Sequence, residues 1–189
     1  MFERLGVVAE QAGCLIILAW LLCKAKQFDS AEGAGSRAVD LLPEKGEEFQ
    51  VCEAHRALGR IYQSMGEMKK AIHHLEVALG IASCLNQVTL MFWVNYALAW
   101  LFSAERKFDH ARAHVEHTKS LAVNNTYLLA RASILQARLW YAQDMLGEAK
   151  SEIFRVLDVF EKLGAANDSE FAQYLLQQID ARLPVALDK

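Results

Sequence analysis

The sequence predicts an all-α fold: an α-solenoid of four helix-turn-helix repeats closed by a C-terminal capping helix. Three observations carry this. First, proline stands at only two of 189 positions, Pro43 and Pro184, so long stretches are free of helix breakers. Second, a turn followed by a large apolar residue and then an alanine occurs four times, over Lys26–Ala31, Gly66–Ala71, Arg106–Ala111 and Asp144–Ala149. The alanines stand 40, 40 and 38 residues apart. Third, the flanks recur in step. Thirteen residues before each alanine come Leu18, Leu58, Leu98 and Gln136, each followed by a small residue: Ala19, Gly59, Ala99 and Ala137. Three residues further on stand Leu22, Tyr62, Phe102 and Trp140; seven after each alanine stand Ala38, Ala78, Thr118 and Val156. Small residues at fixed points let two helices approach closely, and the large ones fill the space between pairs.

The elements follow in order. Helix pairs are predicted over 8–25 and 28–42, 47–65 and 68–82, 87–104 and 108–122, and 127–143 and 146–163. The repeats are therefore 8–42, 47–82, 87–122 and 127–163. A capping helix is expected over 168–182, with Asp168-Ser169 as its cap signal and Glu170 in its first turn. Its polar residues Gln173, Gln177, Gln178, Asp180 and Arg182 suit the solvent-facing end of a repeat array. Residues 183–189 read as a frayed tail. No linker interrupts the pattern, so 1–189 reads as one domain.

The run Leu58-Gly59-Arg60-Ile61-Tyr62, with Gly66, Ala71 and Ala78 behind it, resembles the tetratricopeptide repeat (TPR) family. His55 stands where that family carries a tryptophan, and Gln136 replaces the leucine of the fourth repeat. The 40-residue interval exceeds the usual 34. In this the chain is similar to the long-period arrays of kinesin light chain. In texture (Asp40-Leu-Leu-Pro-Glu-Lys45, Ala71-Ile-His-His74, Glu161-Lys-Leu-Gly-Ala165) it resembles the TPR arrays of fungal nucleotide-binding signalling proteins.

The resemblance implies a protein-binding scaffold whose first helices line a groove. The family's groove positions fall on Ile16 and Trp20; Arg56, Arg60 and Gln63; Trp93, Tyr96 and Trp100; and Ile134, Arg138 and Tyr141, with Glu53 and Arg131 one turn earlier. Arginines and aromatics dominate this set, as they dominate interface hot spots. A positive groove on a chain of net charge −3 points to an acidic or carboxylate-bearing partner. Trp20 and Trp100, at equivalent positions, have a second reading as core between neighbouring repeats. One TPR subclass clamps the C-terminal carboxylate of chaperones with Lys and Asn; Ile16 and Trp20 occupy those places, so that ligand is not expected.

Other function classes lack their residues. The near-neutral charge offers no basic footprint for nucleic acid. There is no G-x-x-x-x-G-K-[ST] phosphate loop and no G-x-S-x-G, and the carboxylates are spread over polar helix faces, so no catalytic residue is assigned. Cys14, Cys23, Cys52 and Cys84 form no C-x-x-C pair; they read as buried small hydrophobes of a cytoplasmic protein. His110, His114 and His117 share one helix face, and with no H-E-x-x-H they read as solvated polar surface rather than a metal site, as do His73 and His74. No metal or cofactor is expected. The apolar run Cys14–Cys23 is half the length a bilayer requires and reads as a buried helix, so no membrane partner is expected. Around it, Leu5, Val7, Val8, Leu15, Ile16, Ile17, Trp20 and Leu21 cover more than one helical face, and such a helix demands burial. Either an upstream repeat or a second chain must cover it. Homodimerisation through Val8, Ile16 and Ile17 is therefore the alternative reading.

Overall fold

The computed structural model describes residues 2–42 and 47–183, with side chains from Val7 onward in the first helix. The Pro43 turn, the side chain of Leu5 and the tail beyond Leu183 lie outside the described residues. Within them the chain forms α1 (Phe2–Lys24), α2 (Phe28–Leu41), α3 (Glu48–Met65), α4 (Met68–Cys84), α5 (Val88–Ala104), α6 (Phe108–Leu121), α7 (Thr126–Ala142), α8 (Leu146–Leu163) and α9 (Ala166–Asp180), and no strand.

Two helix ends differ from the sequence expectation. α1 begins at Phe2 rather than near residue 8. Glu3, Arg4 and Leu5 are good helix formers, and the single Gly6 costs only about 1 kcal/mol. α9 begins at Ala166, capped by Ala165 with no side-chain bond, so Asp168 is not the cap but sits in the first turn. Its carboxylate is taken up elsewhere, as described below.

The repeat is written into the backbone. Lys26, Gly66, Arg106 and Asp144 all have positive φ, between 60° and 80°. At each of these turns the next residue's N–H reaches back five residues: Gln27 to Leu22, Glu67 to Tyr62, Lys107 to Phe102 and Met145 to Trp140, each at 2.9 Å. The left-handed residue itself donates three residues back. This pair of bonds is the Schellman motif, which satisfies carbonyls orphaned at a helix end. Of these four residues, Gly66 alone enters that conformation without the strain of a Cβ.

The helices gather into two compact units, Met1–Ala97 and Leu98–Lys189. In the first, α1 packs on α2, α2 on α3, and α3 on α4. Ala19, Ala31, Ala38, Ala71 and Ala78 are fully buried where these helices meet. Gly59 shows how close the approach is: a Cβ there would lie 2.6 Å from Leu75 Cγ. In the second, α7 packs on α8 and α8 on α9 around Ile134, Ile153, Phe160 and Ile179. Polar residues at core positions of the repeat are satisfied. Buried Thr118 donates to the His114 carbonyl at 2.7 Å, and Gln136 accepts from Lys119 Nζ at 3.0 Å.

Candidate partner-binding surface

In the first unit, α1 and α3 present the sequence-predicted positions. Trp20 is 39% exposed, and the Lys24 ammonium sits 3.9 Å from its ring centroid. Arg60 is exposed one repeat later, and Gln63 half-buried. Trp20, Lys24 and Arg60, with Cys23, Ala57, Ile61 and Ser64, enclose a hollow of about 120 Å³. One aromatic surface and two cations therefore share a small concavity. Lys24 was missed by the family pattern, although its i, i+4 spacing from Trp20 was a signal for it.

Arg56 does not add to this positive field. Its guanidinium makes two bonds to Glu53, at 2.9 and 2.6 Å, and both groups are half-buried. Further along the unit, Trp93 and Tyr96 are half-buried on α5, their rings tilted or edge-on to each other and to fully buried Phe92. Two positions turn inward: Ile16 packs beside Ala12, Ala38, Leu42 and Ala54, and in the second unit Ile134 is core.

The second unit has largely consumed its own predicted residues. Arg131 pairs with Asp168 of α9 at 2.5 Å, and Tyr127 donates to the same carboxylate at 2.9 Å. The Arg138 guanidinium carbon stands 3.0 Å from the centroid of Trp100, whose ring is 6.0 Å from Phe171 of α9. Arg182 covers the Tyr141 ring at 4.6 Å and pairs with Asp144. These partners lie 37 to 71 residues away in sequence, so no local pattern exposed them. A wider depression of about 570 Å³, lined by Trp140, Gly147, Glu148, Ser151, Glu152 and Arg155, contains no predicted position. Its cation Arg155 is bonded to Glu152 at 2.5 Å.

The histidines are not uniformly solvated, contrary to expectation. His110 and His114 stack on Phe102, and His114 is half-buried, which lowers its pKa. His55 Nδ1 and His74 Nδ1 lie 2.9 Å apart, and His74 stacks on Tyr62, whose hydroxyl donates to Glu32 at 2.7 Å. The His55 and His74 centroids are 5.1 Å apart, so the two nitrogens point almost straight at each other. One ring must donate while the other accepts, which is hydrogen bonding rather than metal chelation. Burial and the neighbouring His55 push His74 down to about 4, and burial lowers His55 as well. Among the described residues no group of three or more His, Cys, Asp or Glu side chains could hold a metal ion.

The thiols also divide. Cys52 is buried, donates to the Ala78 carbonyl at 3.2 Å, and is pushed up to about 11 by burial and by Glu53. Cys14 and Cys84 are exposed, not the buried hydrophobes expected, and all four cysteines are free. α1 is moreover, by length and composition over Val7–Lys24, long and apolar enough to cross a membrane, so the ten-residue limit read from the sequence does not hold. Fully buried Ala12 and Ala19 nevertheless tie it into the repeat.

No family model matches the chain, and no curated protein does. Solved structures do. BtubC (BKLC) from P. vanneervenii aligns with a TM-score of 0.70 at 18% identity, over 96% of this chain and 89% of that one. A Podosopora anserina putative kinesin light chain with nearly identical TPR-like repeats aligns at 0.67 and 17%, over 92% and 95%. A Rap protein complexed with competence and sporulation factor aligns at 0.64 and 16%, over 90% of this chain but only 52% of its own. At such identities the likeness speaks for the fold, and it agrees with the recurring Schellman turns and buried alanines: the chain is a TPR-like all-α helical repeat protein.

Proposed function

We propose that this chain is a non-catalytic, intracellular scaffold that binds an acidic or carboxylate-bearing peptide or protein segment on its first-helix surfaces. The observation that carries this is the hollow between α1 and α3, where Trp20, Lys24 and Arg60 converge. A carboxylate entering it meets two cations, and its carbon stem meets an indole face. Trp93 and Tyr96 offer further aromatic surface on α5 of the same unit. In the second unit Trp100, Arg131, Arg138 and Tyr141 are already engaged within the chain and act as a packed support rather than open contacts. The structurally similar Rap protein was solved with a bound factor, which supports a binding role. Four free thiols suit a reducing compartment. Selection of peptides from a random display library tests the reading. Acidic sequences should be enriched by the wild type and lost with Arg60→Glu. Enrichment of neutral or basic sequences, or equal recovery by the variant, contradicts it.

A second reading is self-association, as a module of a larger signalling protein. It is favoured by the exposure of Val7, Ile17, Leu18 and Leu21 on α1. Ile17 belongs to that surface, whereas Val8 is half-buried and Ile16 is half-buried and packed on the chain's own core.

A further inference from the structure

The self-association reading can be made specific from the repeat register. Positions 14, 17, 18 and 21 of α1 recur at 54, 57, 58 and 61, at 94, 97, 98 and 101, and at 132, 135, 136 and 139. In the three later repeats every one of these side chains is buried except half-buried Ala57. In the first repeat Cys14, Ile17, Leu18 and Leu21 are all exposed. What covers the face in the second repeat is plain: a Cβ on Gly35 of α2 would lie 2.7 Å from Leu58 Cδ2 and 3.6 Å from Ile61 Cδ1. The same face on α1 is thus shaped to receive a helix. Exposed Val7, Glu10 and Lys24 extend it into a strip about 120° wide, at about 100° per residue.

We propose that a second copy of this chain covers the strip, its own α1 lying antiparallel on the first. Among the described residues, the other helices that could have filled it are spent. The small-residue face of α2 (Ala31, Ala34, Gly35, Ala38) is buried within the chain, and α9 shows solvent the polar Gln173, Gln177 and Gln178. α1 is the described helix whose apolar receiving face remains open, and a two-fold interface pairs one patch with itself. Val7, Cys14 and Leu21 follow a seven-residue spacing, with Glu10, Ile17 and Lys24 interleaved, which is the a/d pattern of paired helices. Charge sets the direction. Parallel helices would oppose Glu10 to Glu10 and Lys24 to Lys24; antiparallel helices bring Glu10 toward the second copy's Lys24. Cys14 and Ile17 then lie nearest the two-fold axis.

Sedimentation of the full chain across a dilution series, with bismaleimide cross-linking through a short spacer, tests the pairing. The expected result is a dimer that cross-links in a Cys84→Ser background and not in Cys14→Ser. Ile17→Glu with Leu21→Glu should give a monomer with unchanged helical melting, because both residues face outward. Lys24→Glu should weaken the dimer about tenfold and Glu10→Lys in the same chain should restore it. A dimer that persists in Ile17→Glu/Leu21→Glu and does not cross-link through Cys14 overturns the α1 pairing while leaving self-association standing. A monomer at every concentration, whether or not it takes up phospholipid vesicles, overturns both.

Discussion

Leu18 and Leu58 hold the same position of the same repeat, 40 residues apart. Leu58 is 2% exposed and Leu18 45%. Leu21 and Ile61 repeat the contrast, at 52% and 1%. The residues are chemically alike, and what differs is the neighbour: α2 lies on α3, and no described helix lies on that face of α1. A repeat pattern specifies which face of a helix is built for contact, and the next element in space decides whether that contact is core or interface.

The contrast can be broken most forcefully at those leucines. Leu58→Ala should destabilise by about 3 kcal/mol, through lost burial and the cavity left behind. Leu18→Ala should cost less than about 0.5 kcal/mol in the monomer. Denaturant midpoints at a concentration below any association measure both, and equal losses would erase the distinction between the two faces.

Acid should act on the second repeat and spare the first. His55 and His74 have no counterparts in repeat one, where Leu15 and Ala34 occupy their positions. Both rings hold their pKa below the ordinary histidine value. As pH falls through about 6.5 the unfolded chain takes up protons that the folded chain refuses, so stability is complete above that pH and declines toward about 4. After allowance for coupling and partial exposure the loss is of the order of 2 kcal/mol. Thermal melts between pH 7 and pH 4 measure it, and His74→Gln should flatten the dependence. A slope undiminished by that substitution places the acid sensitivity elsewhere.

Equivalent close approaches can be compared next. Ala71→Leu and Ala111→Leu should each overpack their helix crossings and cost about 1–3 kcal/mol by denaturant midpoint. The turns offer the smallest and opposite effect. Arg106→Gly places in the third repeat what Gly66 supplies in the second, and should raise stability by about 1 kcal/mol by releasing left-handed strain.

Much of the fold was legible because repetition supplies its own control. The positions numbered as turns from the sequence, Lys26, Gly66, Arg106 and Asp144, are all left-handed. The alanines chosen by spacing are fully buried. The site was less legible, for three physical reasons. A short intrahelical pairing such as Arg56 with Glu53 neutralises a residue that the family pattern marks as a contact. A distant helix can claim another, as α9 claims Arg131 and Trp100. Histidines on a polar-looking face can turn sideways onto an aromatic neighbour, as His114 and His74 do.

The most direct test of binding at the α1–α3 hollow is a paired titration and melt. The best acidic peptide from the display selection is titrated by calorimetry into wild type, Arg60→Glu and Trp20→Ala, and each protein is melted under the same conditions. Arg60 is exposed and should contribute little to folding. Arg60→Glu should weaken binding at least about tenfold with the melting temperature unmoved, and Trp20→Ala should cost about 2 kcal/mol of affinity. Undiminished binding in both variants, or affinity that falls only in step with stability, would contradict the assignment of function to this surface.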